Sequence, residues 1–218
     1  MTPRNRAVGP ALVRNGSSVR SSAIGGGVRD EYASHRLGAE GWYREQGALY
    51  RNPHAAAVRE MVLVALAKWP EMFAGGGSLL DLCAGSGEVT AVIADALGVE
   101  RVISADPFTG AAFLSAQGRS LDAEWSFAAI ADGVLEERSF DVVICSYALH
   151  LCERSRLARI CHELAQRADH LVVITPHKQP ELRPGWGFAL FEEHRDSKWR
   201  TRLRRYDSVH RLGVPLAE

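Results

Sequence analysis

The stretch that most constrains the fold is residues 79–90, with the sequence LLDLCAGSGEVT. It predicts a short apolar strand, a turn of small residues and the start of a helix, an arrangement that brings backbone N–H groups to one edge of a sheet. Gly85 and Gly87 have no Cβ, so a ligand can approach the backbone of the turn closely. Asp81 precedes the glycines, and its carboxylate would repel a pyrophosphate but attract a cationic amino-acid ligand. The stretch therefore predicts a binding site for a polar ligand at the end of a strand.

The segments around and after this turn alternate between strand-like and helix-like patterns. The predicted strands are residues 78–82, 101–105, 123–130, 141–146 and 170–175, and the predicted helices are residues 88–97, 110–117 and 153–167. Repeated strand–helix units with apolar strands predict a parallel sheet that is covered on both faces. Residues 186–195 and 198–207 form two more strand-like segments, and the short turn between them requires antiparallel pairing. We therefore predict an α/β three-layer sandwich whose mixed seven-stranded sheet ends in an antiparallel hairpin.

The chain before the first strand divides into a tail and a shorter segment with aromatic residues. Residues 1–30 contain five arginines before the first acid, Asp30, together with serines and glycines but no apolar periodicity. We expect a disordered basic tail, and a composition of this kind also occurs in organellar import sequences. Asn52 and Pro53 predict a helix start, with Asn52 as the N-cap. The predicted units are the tail 1–30, an N-terminal cap segment 31–54, the main domain 55–210 and a C-terminal tail 211–218.

Composition argues against several classes of function. The chain has 218 residues and a formal net charge of zero, which gives no global attraction to nucleic acid or to acidic membranes. The cysteines Cys83, Cys145, Cys152 and Cys161 lack the paired spacing of a zinc site, so we expect reduced core thiols and no metal. No apolar run is long enough to span a bilayer, and we expect a cytoplasmic protein.

Three motifs resemble those of class I S-adenosylmethionine-dependent methyltransferases, and the resemblance extends from about residue 52 to residue 208. Residues 81–87, DLCAGSG, are similar to the first motif of that family, D/E-x-G-x-G-x-G, with Cys83 in place of the first glycine. Asp106 closes the second predicted strand and corresponds to the second motif. Residues 140–146, FDVVICS, have the form of the fourth-strand motif. The resemblance implies a Rossmann-like fold and S-adenosyl-L-methionine as the cofactor.

The resemblance also implies a set of cofactor-binding residues. Asp106 is expected to accept hydrogen bonds from both ribose hydroxyl groups. The adenine is expected to be bound either by Asp132 or by the backbone of residues 130–131, since Ala129 occupies the position of the acid that the family often has. The expected cofactor-binding residues are Asp81, Cys83, Ala84, Gly85, Ser86, Gly87, Asp106, Pro107, Ile130, Asp132, Cys145 and Ser146.

A dinucleotide-binding fold is the competing interpretation of the glycine turn. That fold requires G-x-G-x-x-G, but Thr90 stands where the third glycine would be. The acid before the turn, the acid after the second strand and the C-terminal hairpin together favour methyl transfer over hydride transfer.

Candidate residues for the methyl acceptor follow the fourth and fifth predicted strands. His150 is the first candidate for a general base, because the unperturbed pKa of an imidazole lies near neutrality, although a packing role explains it equally well. Tyr147 could orient an acceptor or simply pack. The candidate catalytic residues are thus His150 and Tyr147, and the candidate substrate-binding residues are Tyr50, His54, His177 and Lys178.

The sequence leaves three hypotheses for the acceptor. The first is a small molecule that is methylated on oxygen, nitrogen or carbon. The second is RNA or protein, because alternation along residues 199–206 puts Arg200, Arg202 and Arg204 on one strand face, unless Glu192 and Glu193 of the neighbouring strand neutralise them. The third is a catalytically silent partner subunit, which the presence of both acids, at the first and second motifs, disfavours.

Overall fold

The computed structural model describes residues 35–36 and 38–213, so the predicted tail 1–30 lies outside the described residues. The α-helices are α1 (Gly38–Gln46), α2 (Ala55–Lys68), α3 (Glu88–Leu97), α4 (Gly110–Gln117), α5 (Phe127–Ala131) and α6 (Arg154–Arg167). The strands are β1 (Leu79–Leu82), β2 (Val102–Ala105), β3 (Phe140–Ser146), β4 (Ala168–Thr175), β5 (Phe188–Asp196) and β6 (Thr201–Ser208). Single 3₁₀ turns lie at Gly47–Leu49, Pro70–Phe73, Val99–Arg101, Leu149–Leu151 and Pro184–Trp186.

The strands form one mixed sheet in the order β2-β1-β3-β4-β6-β5. The first four strands in this order are parallel, whereas β6 lies antiparallel between β4 and β5. The α/β fold and the antiparallel C-terminal pair are thereby confirmed. Because β1 and β3 are parallel, with Leu82 opposite Cys145, the residues that follow these two strands meet at one edge of the sheet.

Helices cover both faces of the sheet, and the alternation along the strands explains how. One core cluster joins α6 to the face that carries Leu80 and Val143. A second cluster joins α2 and α3 to the face that carries Leu79 and Val142. Successive side chains of a strand point to opposite faces, so each apolar strand supplies both clusters at once.

The prediction of a seventh strand at residues 123–130 was wrong, because the described sheet has six strands. Within that segment only Ala123 pairs with a strand, through a single parallel bridge to Ala105. Ser126 then begins α5, since its side chain accepts a hydrogen bond from the N–H of Ala129. A capping serine followed by alanines favours a helix over a strand.

Two predicted boundaries were also wrong. Asn52 is not the N-cap of α2, because its Oδ1 accepts a hydrogen bond from the N–H of His54 at 2.8 Å and closes a turn before the helix begins at Ala55. The second hairpin strand begins at Thr201 rather than at residue 198. Arg200 therefore lies in the turn, with a φ of 53°, and does not belong to the strand face.

In residues 38–213, none of the helices is long and apolar enough to cross a membrane. The same described part of the chain holds no group of three or more His, Cys, Asp or Glu side chains placed to bind a metal ion. All four cysteines are free thiols.

Candidate active site

A cleft opens between the cap segment and the carboxyl ends of β1, β2 and β3. The cleft has a cavity volume of about 220 Å³ and opens to solvent at its mouth. The predicted site residues that line it are Tyr50, Cys83, Gly85, Asp106, Pro107, Ser146 and Tyr147. The sequence motifs and the cap segment are therefore brought together at one edge of the sheet.

Asp106, directly after β2, is held by the backbone around it. Its Oδ2 accepts a hydrogen bond from the N–H of Gly85 at 3.1 Å. Its Oδ1 accepts from the N–H groups of Phe108 at 2.9 Å and Thr109 at 3.1 Å. Burial raises the pKa of this carboxyl, while the backbone hydrogen bonds act in the opposite direction. The carboxylate is thus fixed in orientation at the wall of the cleft.

The turn after β1 has the backbone that its small residues allow. Cys83, Gly85 and Gly87 have φ values of 61°, 58° and 87°, in the left-handed region that favours glycine. Cys83 is the residue that departs from the family pattern. Its contact with the thiol of buried Cys145, together with burial, raises the pKa of the Cys83 thiol well above its ordinary value. Cys83 is therefore a neutral wall of the cleft and not an activated nucleophile.

The cap segment rests directly on this turn and on the residues after β2. Gly47 packs so closely on the carbonyl of Phe108 that a side chain at this position would clash. The ring of Tyr43 stacks on that of Phe108 with centroids 6.4 Å apart. Tyr43 also contacts Tyr50, with ring centroids 5.5 Å apart. Aromatic contacts thus anchor the cap segment two residues beyond Asp106.

Asp81 does not line the cleft, although it is the acid of the first motif. It is buried beneath the turn, where its Oδ2 accepts hydrogen bonds from the N–H of Thr90 at 3.0 Å and from the Thr90 hydroxyl at 2.7 Å. Its Oδ1 is buried and receives no hydrogen bond from the described residues. Burial raises the pKa of Asp81 to about 7.

The remaining residues expected to bind the cofactor lie behind the cleft surface or outside it. Ile130 lies on the buried side of α5, and Asp132, after α5, is exposed. The side chains that line this part of the cleft belong instead to Ser126, Phe127 and Ala128. The other expected residues are buried and do not line the cleft: Ala84, Ser86 and Gly87 in the turn, and Cys145 in β3.

Tyr147 forms the wall of the cleft after β3. It has a φ of 52°, and its hydroxyl lies 2.6 Å from Oγ1 of Thr201. The ring of His54 stacks on the Tyr147 ring, with centroids 4.6 Å apart. Burial raises the pKa of the Tyr147 phenol and lowers the pKa of His54. Near neutral pH the pair therefore presents a protonated phenol and a neutral imidazole.

His150 and His177 are brought together, but they do not line the cleft. Their ring centroids lie 4.7 Å apart in an edge-to-face arrangement. Lys178 has an exposed side chain, and its backbone carbonyl accepts a hydrogen bond from Arg204 at 2.8 Å. None of these three residues lines the cleft.

Glu193 neutralises the two arginines that remain on the strand face of β6. Its carboxylate accepts hydrogen bonds from Arg202 and from buried Arg204, each at 2.6 Å. Arg204 also donates to the carbonyl of Pro180 at 2.9 Å, so it holds the loop after β4. The ion-pairing interpretation of this face therefore describes Arg202 and Arg204 better than a free basic surface does.

Sequence reasoning missed several residues of the cleft. Phe108 lies in the loop after β2, and Phe127 is the first residue of α5. Their positions close to the edge of the sheet were the signal in the sequence that could have identified them. Tyr43 lies on α1, whose nine residues carry little apolar pattern. Glu153 and Arg156 reach the cleft from the start of α6 and bond to each other at 3.2 Å.

Comparisons with known proteins agree with this geometry. A family model described as a methyltransferase domain matches residues 79–169. An uncharacterised protein of Schizosaccharomyces pombe is 32% identical over 199 residues, which covers 74% of this chain and 79% of the relative. Magnesium protoporphyrin IX methyltransferase from Synechocystis PCC 6803, crystallised with bound S-adenosylmethionine, aligns with a TM-score of 0.54 at 17% identity, covering 83% of this chain and 95% of that one.

A further solved structure has the same fold. The N-methyltransferase NodS from Bradyrhizobium japonicum WM9, in complex with S-adenosyl-L-homocysteine, aligns with a TM-score of 0.52 at 11% identity, covering 83% of this chain and 96% of that one. At these identities the two crystal structures support the fold alone. The family match and the motifs show that this chain belongs to the class I S-adenosylmethionine-dependent methyltransferases. It is an enzyme whose cofactor is S-adenosylmethionine.

The residues around the cleft fit this cofactor. Asp106 offers a fixed, buried carboxylate suited to ribose hydroxyl groups. Gly85 lines the cleft with a left-handed backbone that contacts Tyr50, and Oδ1 of Asp81 is a buried acceptor that receives no hydrogen bond from the described residues. The bound cofactor supplies a methyl group activated by the sulfonium, so the task left to the chain is to hold the acceptor in line with it.

Proposed function

We propose that this enzyme methylates a small molecule on an oxygen, nitrogen or carbon atom. The observation that carries the proposal is the concave cleft between the glycine turn and the cap segment, with a cavity volume of about 220 Å³. Concave sites enclose small ligands, whereas a polymer needs an open track. The packing of Gly47 on Phe108 and of Tyr43 on the Phe108 ring holds the cap segment against one side of the cleft.

For the cofactor, the proposal assigns roles by position. Asp106 accepts hydrogen bonds from the ribose, and the turn at Gly85 accommodates the amino-acid portion. Phe127 and Ala128 face the adenine, since they line the cleft beyond the sheet edge, whereas Asp132 is exposed and lies outside it. Of the two sequence-based alternatives for adenine, this geometry favours recognition without the Asp132 carboxylate.

For the acceptor, Tyr147 lines the cleft and orients the molecule, whereas His54 is exposed, stacks on Tyr147 outside the lining and accepts a proton where the reaction requires one. The Tyr147 hydroxyl is bonded to Thr201, and burial raises its pKa, so the phenol is a donor or a wall and not a base. Burial lowers the pKa of His54, which favours the neutral imidazole that a general base needs. His150 and His177 contact each other outside the lining of the cleft and are given no role in the transfer.

The charges of the cleft favour a neutral or cationic acceptor. The charged side chains that line it are Glu40, Asp106, Glu153 and Arg156. Arg156 is the cation among these described residues, and it bonds to Glu153 at 3.2 Å. Glu40 is paired with Arg44 at 2.8 Å, so Asp106 is the member of these four without a side-chain counterion, and an anionic acceptor would meet its charge at a cost in free energy.

The alternatives receive less support. An RNA acceptor would use free arginines, but Glu193 binds both Arg202 and Arg204. A silent partner subunit would not require a buried acid next to the open glycine turn, yet Asp106 is held there by three backbone N–H groups.

A methyl-transfer screen with labelled S-adenosylmethionine tests the proposal. The panel contains phenols, amines, carboxylic acids, bulk RNA and mixed protein, and the Asp106→Ala variant reports background labelling. We expect label on a neutral or cationic small molecule, with Tyr147→Ala losing activity and Tyr147→Phe retaining most of it. Labelling confined to RNA or protein would contradict the small-molecule proposal, while leaving the methyltransferase assignment intact.

A further inference from the structure

A buried chain of hydrogen bonds links the acid of the first motif to an arginine in the loop after α4. The Thr90 hydroxyl donates to Oδ2 of Asp81 at 2.7 Å, and it lies 2.8 Å from the hydroxyl of Ser104. Arg119 donates to the same Ser104 hydroxyl at 2.8 Å. Asp81, Thr90 and Ser104 are all buried, and they belong to β1, α3 and β2. Three elements of the fold thus meet around one line of polar atoms.

The direction of the donors along this chain is fixed by chemistry. A guanidinium can only donate, so the Ser104 oxygen accepts from Arg119. The hydrogen of the Ser104 hydroxyl is then available for the oxygen of Thr90, whose own hydrogen goes to Asp81. Every donor therefore points toward the carboxylate, and the far end is Arg119, which is also paired with Asp122 at 3.0 Å. Such an arrangement stabilises the ionised form of Asp81.

The other groups around Asp81 act in the opposite direction. Burial raises the pKa of Asp81 to about 7, and the negative charges of Glu88 at the start of α3 and of Asp106 after β2 add to this effect. The neighbouring Cys83 thiol is neutral. The hydrogen bonds from Thr90 are the interactions that lower this pKa. The protonation of Asp81 is thus balanced near neutral pH, with the donor chain on one side and burial and two acids on the other.

The second oxygen of Asp81 indicates what this balance is for. Oδ1 is buried and accepts no hydrogen bond from the described residues, while Oδ2 accepts two from Thr90. A buried carboxylate oxygen with no donor is costly, unless the oxygen carries a proton or a ligand supplies the donor. The cofactor carries an α-ammonium group, which is a donor with the complementary charge.

We infer that Thr90, Ser104 and Arg119 are positioning residues for the cofactor, since they hold Asp81 ionised beneath the turn, where its charge and its Oδ1 attract the α-ammonium group through a water molecule. The inference depends on the cofactor and not on the acceptor proposed above. It makes cofactor binding compete with protonation of Asp81. Affinity is then expected to be low when Asp81 is protonated, to rise as the pH passes about 7, and to level off above that.

Calorimetric titration with S-adenosyl-L-homocysteine tests the inference, because this product analogue carries the same α-ammonium group and no transferable methyl. Dissociation constants are measured from about pH 5.5 to about pH 8.5 for the wild type, Arg119→Gln, Ser104→Ala and Thr90→Val. We expect each variant to bind about fivefold more weakly at pH 7 and to move the midpoint of the pH profile upward by about one unit. Near pH 8.5 the affinities should converge, and Thr90→Ser and Arg119→Lys should restore most of the wild-type profile.

Arg138→Gln is the matched control, because it likewise removes one arginine cation. Arg138 lies in an exposed loop, over the ring of Trp125 at 4.7 Å. Its profile should match the wild type. Equal weakening of the variants at every pH would overturn the inference, because a purely structural defect would lower the affinity at high pH as much as at low pH. Unchanged profiles would overturn it as well. Failure of the folded wild type to bind at any pH would instead contradict the cofactor assignment.

Discussion

The ring of Tyr50 occupies the space that a side chain on Gly85 would need, because a Cβ at position 85 would lie 3.0 Å from Cε1 of Tyr50. Tyr50 belongs to the cap segment and Gly85 to the first motif, so this contact joins the two sides of the cleft. The left-handed backbone of Gly85, with a φ of 58°, independently disfavours any other residue there. Both the backbone conformation and the contact with Tyr50 therefore require glycine at position 85.

The first prediction concerns Gly85→Ala. We expect it to weaken cofactor binding by about tenfold or more, because the new methyl group strains the turn and displaces Tyr50. Gly118→Ala is the control, since Gly118 has a similar φ of 68° but nothing within 4 Å of its Cβ position. Both variants should lose about 1 kcal/mol of stability in urea unfolding, whereas only Gly85→Ala should lose affinity in calorimetry.

The second prediction concerns Asp106→Asn. Replacement of one carboxylate oxygen by an NH₂ group removes an acceptor of the ribose hydroxyls and disturbs the hydrogen bonds from the backbone. We expect a loss of about 1–3 kcal/mol in cofactor binding. Asp95→Asn, on the exposed side of α3, serves as the control and should bind normally. Equal affinities for the two variants would mean that Asp106 does not contact the ribose.

The third prediction separates the two hypotheses for adenine. Asp132→Ala should leave the affinity for S-adenosyl-L-homocysteine within about twofold of the wild type, because the side chain is exposed and lies outside the cleft. Phe127→Ala should weaken binding by about 1–2 kcal/mol through loss of ring contact. The reverse order of effects would restore Asp132 as the residue that binds adenine.

The fourth prediction concerns Asp81→Asn in the protein without cofactor. The folded state holds a proton on Asp81 up to about pH 7, whereas the unfolded chain releases it near 3.8. Stability should therefore fall as the pH rises from about 4 to about 7, by up to roughly 4 kcal/mol. Urea unfolding across this range should show that decline in the wild type and a much flatter curve in Asp81→Asn. Parallel curves would show that Asp81 does not titrate in this window.

The sequence predicted those parts of the fold that depend on short apolar strands and on glycine turns. Helices at residues 88–97 and 110–117 agree with α3 and α4 as observed. The missing strand at residues 123–130 was less predictable, because its alternation competes with the local capping hydrogen bond of Ser126. Asn52 was predicted to be the N-cap of α2, but it closes a turn before the helix, since an Asn side chain can accept a backbone hydrogen bond in both arrangements.

The candidate site was only partly predictable for a different reason. Asp106, Gly85 and Tyr147 follow strands, so the parallel topology alone brings them to one edge. The aromatic contacts of the cap segment depend on how α1 packs, and nothing in nine mostly polar residues specifies that Tyr43 meets Phe108. The donor chain to Asp81 likewise depends on tertiary contacts between Thr90 and Ser104, fourteen positions apart.

The fifth prediction concerns Glu193→Gln at the hairpin. Although burial raises it, the hydrogen bonds from Arg204 and Arg195 lower the pKa of Glu193 to about 2. The ionised pair therefore stabilises the fold above about pH 4.5 and is lost as the pH falls toward 2. We expect Glu193→Gln to destabilise the protein by about 3 kcal/mol at neutral pH, because Arg204 is left buried without its carboxylate.

The neighbouring variant Glu192→Gln is the control for this prediction. Glu192 pairs with Lys68 at a more exposed site, where the loss should stay below about 1 kcal/mol. Urea unfolding of both variants measures the difference. Gain of RNA affinity in Glu193→Gln, but not in Glu192→Gln, would reveal that the arginine face becomes available once Glu193 is neutral.

The most direct test of the account is calorimetric titration of the folded wild-type protein with S-adenosylmethionine and, in parallel, with NAD. The account predicts saturable one-to-one binding of S-adenosylmethionine that Gly85→Ala and Asp106→Asn weaken, and no binding of NAD. Absence of S-adenosylmethionine binding by a protein shown to be folded, or binding of NAD in its place, would contradict it.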